Sequence, residues 1–233
     1  MRLSEYIMVL LAALLISTPA QAQTNANVLL RSVYVKVQKA KDYTAEANIT
    51  VDMPFIHMLP INAKIYFKQK DKFKVESNSI AIVPRQGFDQ ASKILADTGS
   101  FTAIKQGDEK IGKIQTSLVN VIPMSDTSDI ILGKFWIDAK QHVIIKSQLT
   151  TRSSGTVVTE YTYGKEVEYG LPDQMIFSVD VKKFKMPKGI SSDLNKTDTV
   201  KETNANGNKK GKIIISLSNY QVNKGIPDSV FKK

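Results

Sequence analysis

From Tyr43 to Met53 apolar and polar side chains alternate at every step, and this period of two returns along most of the chain. Tyr43, Ala45, Ala47, Ile49, Val51 and Met53 fall on one face, and Thr44, Glu46, Asn48, Thr50 and Asp52 on the other. An extended strand sorts a sequence in this way because its successive side chains point to opposite sides. Ala63, Ile65 and Phe67, then Phe73 and Val75, repeat the pattern. The stretches 101–105, 110–121, 130–138, 143–151, 156–163, 175–184 and 212–222 also read as strands. Gly107-Asp108, Asp138-Ala139-Lys140-Gln141, Ser153-Ser154-Gly155 and Gly170-Leu171-Pro172-Asp173 supply turn chemistry between them. Many short strands with brief turns point to an antiparallel sheet or barrel.

Helical spacing occurs early. Val28, Leu29, Val33, Val37 and Ala40 recur at intervals of three and four, so one helix is expected over 25–41, with Asn25 or Asn27 as its cap. A short strand over 80–83 closed by Pro84, and a second short helix over 88–97, are expected before Gly99. The fold class is therefore mainly β, in the α+β sense.

Three runs depart from alternation: Ile130-Ile131-Leu132, Val143-Ile144-Ile145 and Ile213-Ile214-Ile215. Consecutive apolar residues imply strands covered locally on both faces. Two architectures satisfy this: a sheet curled around a hollow, or a sheet packed solid against its helices.

Residues 187–211 break the strand pattern and carry few large apolar side chains. They read as a flexible insertion at the tip of a hairpin between 175–184 and 212–222. The formal charge is +10, and residues 182–212 hold nine lysines against three acids. At the other end, Tyr6 to Ile16 is an apolar run behind Arg2, followed by Ala20-Gln21-Ala22. The run is shorter than the roughly 20 residues needed to span a bilayer. It reads as a secretory leader over 1–22, cut before Gln23, ahead of one domain over 23–233. The sequence contains no cysteine, so disulfides, thiolate-held metal and a cysteine-linked lipid anchor have no atom to form on. A soluble, monomeric, exported protein is expected, in a compartment where nucleic acid is not a partner. Anionic lipid head groups are the acidic partner that the lysine-rich segment would suit.

Catalytic signatures are weak. The two histidines, His57 and His142, stand in no metal-ligand spacing. There is no nucleophile elbow and no phosphate-cradling loop. Asp126 and Asp129 flank one loop but fall short of the six to eight oxygens calcium takes. No enzyme activity, cofactor or metal is expected. The adaptable side chains are apolar ones, and the early strands offer Ile49, Val51, Met53, Ile65, Phe67, Phe73 and Val75 as candidates to line a hollow. Trp136, Ile144, Phe177, Val179 and Val181 extend that set.

Several segments together resemble the bacterial lipoprotein-sorting carrier superfamily, the LolA/LolB-like proteins. A helix leads into the strand 43–53. Ala63-Lys64-Ile65-Tyr66-Phe67-Lys68 and Asp71-Lys72-Phe73-Lys74-Val75-Glu76-Ser77 follow. Phe135-Trp136-Ile137-Asp138 then precedes a turn and a strand. The ending, from Asn219 to Phe231, is similar to that of carrier-like proteins from Bacteroidetes-type bacteria. The resemblance implies an unclosed antiparallel β-barrel whose N-terminal and short second helices lid an apolar cavity for acyl chains. It implies a periplasmic carrier of a lipoprotein or lipid, with transfer partners at the inner and outer membranes. A related role is a non-catalytic lipid-sensing or scaffold module of an envelope complex, with the lysine-rich segment as its partner arm. Carriers of this superfamily also use a barrel arginine to tie down the lid. Arg31, Arg85 and Arg152 follow the leader here, and none stands in a matching strand.

Overall fold

The alternating stretch forms β1 (Asp42–Met53) in a computed structural model that describes residues 25–53, 56–70, 72–77, 95, 99–153, 155–180 and 210–232. The other strands are β2 (Ile56–His57), β3 (Ile61–Lys68), β4 (Lys72–Ser77), β5 (Phe101–Ile111), β6 (Ile114–Pro123) and β7 (Ile130–Asp138). They continue with β8 (Val143–Thr151), β9 (Gly155–Tyr163), β10 (Pro172–Asp180) and β11 (Lys210–Val222). Ten of them form one antiparallel sheet in the order β4-β3-β1-β11-β10-β9-β8-β7-β6-β5, and β2 pairs only with β1. Among the described residues the edges β4 and β5 do not pair with each other, and the barrel is unclosed. From β5 to β11 each strand pairs with its successor. The long-range join is β1 with β11, which brings the first and last strands together. The expected hairpin of 175–184 with 212–222 is present, with Phe177 opposite Ile213.

One row of paired residues crosses eight strands: Val51, Ile213, Phe177, Thr159, Ser147, Phe135, Val119 and Lys105. Strand alternation keeps this row on one face. Helix α1 (Ala26–Val37) lies on that same face and defines it as the inner one. The Asn25 side chain accepts the Asn27 N–H at 2.8 Å and so caps the helix start. Ala26, Leu29, Leu30 and Val33 point into the sheet and pack with Val119, Val121, Phe135, Ile137, Ile144 and Leu149. Leu95 is buried in the same cluster.

Three expectations about element ends and turns change. The helix ends at Val37 rather than near Lys41, because residues 39–41 are held in a turn. There the Asn223 side chain donates to the Lys39 carbonyl and accepts from the Lys41 N–H. Gly107-Asp108 is not a turn. It is a bulge inside β5, where the partner of Lys105 is Val119 and that of Gly107 is Leu118. The hairpin turns instead at Gly112-Lys113, between the paired Ile111 and Ile114. Gly112 has φ +57°, the positive value that a type II′ turn requires of its first loop residue. Pro172-Asp173 belongs to β10. The reversal before it is a 3₁₀ turn, Lys165–Tyr169, closed by left-handed Gly170.

Of the apolar triplets, Val143–Ile145 is covered on both faces as expected, all three residues being buried, and register shifts mark two of the three. Ile130–Leu132 and Val143–Ile145 each coincide with a register shift, so an extra residue breaks the alternation there. Ile131 is exposed as a result. Ile213–Ile215 is regular: its outer members are buried inside, and Ile214 is half-buried on the outer face beside Thr50 and Ile176. The expected leader, the expected strand over 80–83, the expected helix over 88–97 apart from Leu95, and all but the end of the expected 187–211 insertion lie outside the described residues. No helix among the described residues is long and apolar enough to cross a membrane.

Candidate binding surface on the inner face

The inner face carries two apolar clusters, one on each half of the sheet. The first joins β1, β3, β10 and β11 through Ile49, Val51, Met53, Ile65, Phe177 and Ile215, among others. The second is the one beneath α1. The first includes three small residues, Ala45, Ala47 and Ala63, whose side chains fill little of the space inside the wall. Partly buried Val75, Val157, Tyr43, Tyr161 and Tyr220 pack at its margin.

The structure brings most of the sequence-selected residues to this surface. Ile49, Val51, Met53, Ile65 and Phe177 sit in the first cluster, with Val75 packed against it. Phe67 stacks on Tyr43 with ring centroids 5.0 Å apart, and it faces Phe73 across the β3–β4 pair. Phe73, on the edge strand, is 38% exposed. Ile144 belongs to the second cluster, under the helix. Val179 is in register with Val157 and Gly211, and Val181 lies outside the described residues. Trp136 is corrected. Its neighbours Phe135 and Ile137 both point inward, so alternation sends the indole to the outer face. There its Nε1 donates to Glu109 at 2.6 Å, and the Lys146 ammonium lies 5.0 Å from the ring.

Residues missing from the sequence-derived set are Ala45, Ala47, Met175, Ile213, Ile215, Leu217 and the polar group Ser147, Thr159 and Tyr161. The apolar ones carried a signal, since each occupies an alternate position of a recognised strand. Ser147 and Thr159 carried none, because a hydroxyl in an alternating strand reads as outward-facing. Both are buried on the inner face. The Tyr161 hydroxyl lies 3.2 Å from Ser147 Oγ, and Tyr163 donates to the Ile144 carbonyl at 2.9 Å. Burial pushes the phenols of Tyr43, Tyr161, Tyr163 and Tyr220 up from their ordinary value, so each stays protonated at neutral pH.

Two open hollows of about 740 and 700 Å³ lie over β1, β3 and β11. Glu46 and Lys64 line both, joined by Asn48, Asn62 and Glu76 in one and by Glu166 and Asp173 in the other. The linings are mixed, because Ala47, Ala63 and Val75 also line the first hollow and Ala45, Leu217 and Tyr220 the second. Among the described residues, no three His, Asp or Glu side chains cluster as metal ligands. His142 instead contacts Ser32 Oγ of α1 at 3.0 Å, and Asp129 takes the Ser153 N–H and hydroxyl in a turn. Arg31 is exposed on α1, and Arg152 donates to the Ser128 carbonyl.

No protein-family model matches the sequence, and no curated protein matches it. Solved structures do match over nearly the whole chain. A LolA superfamily protein from Nitrosomonas europaea superposes with a TM-score of 0.56 at 11% identity, covering 89% of this chain and 97% of that one. The fold is LolA-like. A domain from Vibrio parahaemolyticus, named for outer-membrane lipoprotein sorting, gives a TM-score of 0.56 at 10% identity, covering 89% of this chain and 97% of its own. A DUF1329 family protein from Desulfovibrio piger gives 0.57 at 11% identity, over 90% and 98% of the two chains. The LolA-like barrel is thus matched where only about one residue in nine or ten is identical.

Proposed function

We propose that this protein is a soluble periplasmic carrier that holds acyl chains of a lipoprotein or lipid against the inner face of its barrel. The observation that carries this reading is the first inner cluster. It spans β1, β3, β10 and β11, includes Ala45, Ala47 and Ala63, and is distinct from the cluster beneath α1. Each buried CH₂ contributes about 0.8 kcal/mol, so ten methylenes supply roughly 8 kcal/mol, the scale of micromolar binding before ordering costs. The leader pattern over residues 6–22 supports export. The Vibrio domain is named for lipoprotein sorting, and the shared fold makes related cargo a natural candidate here. The role is binding rather than catalysis, and the whole of 23–233 acts as one domain.

The test is native mass spectrometry of the protein isolated from the periplasm of its own cell, together with uptake of a fluorescent fatty acyl probe. Co-purified lipid and saturable uptake are expected. A protein free of lipid that also takes up no probe ends the carrier reading.

A further inference from the structure

We propose that Tyr161, Ser147 and Thr159 form a carbonyl-binding subsite at the seam between the two halves of the barrel, which receives the ester or amide carbonyl of an acyl ligand. This rests on the acyl-carrier reading. The row across the sheet runs Val51, Ile213, Phe177, then Thr159 and Ser147, then Phe135 and Val119. The first three belong to the cluster of β1, β10 and β11, and the last two to the cluster under α1. Two hydroxyls therefore interrupt an apolar row at the border of the clusters. Each of these residues is 2% exposed. Alanine at 147 and valine at 159 would complete the row without a polar atom to satisfy.

Tyr161 is the side chain that packs against both clusters. Its hydroxyl meets Ser147 Oγ at 3.2 Å, and Thr159 stands opposite Ser147 in the β8–β9 register. A phenol oxygen accepts as well as donates, so where the Ser147 hydroxyl donates to it, its own O–H is left to give. An acyl chain lying over Ala45, Ala47 and Ala63 toward Phe177 reaches the seam with its head. There a carbonyl oxygen, which only accepts, meets a donor. A neutral carbonyl suits the place better than a carboxylate, because among the described residues no Lys, Arg or His is buried.

The experiment compares three pyrene-labelled probes of equal chain length: a fatty acid methyl ester, the free acid and the plain alkane. They are titrated into the wild type, Tyr161→Phe and Thr159→Val. Thermal melts confirm that each variant folds. The wild type should prefer the ester to the alkane. Tyr161→Phe should weaken the ester roughly three- to tenfold and leave the alkane unchanged. The infrared carbonyl stretch of a ¹³C-labelled ester should be lowered in the wild type and return toward its free position in Tyr161→Phe. Equal losses for ester and alkane would assign the three hydroxyls to packing alone. Unchanged ester affinity and an unshifted carbonyl band would remove the contact. A free acid held tighter than the ester would overturn the neutral-carbonyl assignment. A wild type that takes up none of the probes removes the carrier reading and this subsite with it, whereas one that takes up the alkane as well as the ester removes the subsite alone.

Discussion

At the scale of single residues, one-step alternation decides which side chains can meet a ligand. Trp136 is the only tryptophan, and it stands between two inward residues with its indole bonded to Glu109 on the outer face. Its fluorescence should therefore report folding and not cargo. Saturation with an acyl probe is expected to leave the emission maximum in place, while urea moves it to the red as the indole meets water. A ligand-dependent shift in the folded protein would mean that the wall rearranges across its thickness. Leu30 and Val28 make a similar contrast on α1. Leu30 is fully buried against the sheet, so Leu30→Ala should cost about 2–5 kcal/mol in urea unfolding. Val28 is 58% exposed, and Val28→Ser should stay within about 0.5 kcal/mol.

At the scale of elements, the strands were readable because each buries one face. The period of two in 43–53 and 63–68 survives as the burial pattern of β1 from Ala45 onward and of the first half of β3. Helix α1 was readable from its three- and four-residue spacing, but its end was not, since the Asn223 side chain that holds residues 39–41 lies far along the chain. The β5–β6 hairpin was misread for a related reason: both Gly107 and Gly112 offer turn chemistry, and only the pairing register shows which one turns. Gly112→Val should test this assignment. It forces a branched side chain into a left-handed backbone and should destabilise by about 1–2 kcal/mol. An unchanged midpoint of urea unfolding would place the turn elsewhere. Of the candidate site, the apolar wall was legible in β1 and β3. The hydroxyl seam was not, because a buried serine is distinguished from an exposed one only by its partners across β7 and β9.

At the scale of the whole molecule, an unclosed barrel has two edges to secure, and the C-terminal segment fastens one of them. After β11 the chain turns back under β1: Asn223 bonds the Asp42 carbonyl, and Gly225 the Asp42 carboxylate. The short 3₁₀ turn Asp228–Phe231 then reaches the edge hairpin of β3 and β4. Asp228 pairs with Lys68 and Lys72, each at 2.7 Å, and Lys68 also donates to the Ile226 carbonyl. One carboxylate thus ties this C-terminal segment to two strands of the barrel wall. The two lysine hydrogen bonds hold the Asp228 carboxyl down at about 2, against an ordinary 3.8. The clasp's contribution is therefore complete above about pH 4 and fades as the pH falls toward 2. Asp228→Asn should lower the melting temperature slightly at pH 7, with the difference shrinking as acid protonates the wild-type carboxylate and vanishing only below pH 2. Added salt should shrink the same difference at pH 7, because both ion pairs face solvent. A gap between wild type and variant that persists undiminished below pH 2 would mean that Asp228 acts through backbone geometry in the 3₁₀ turn and not through its charge.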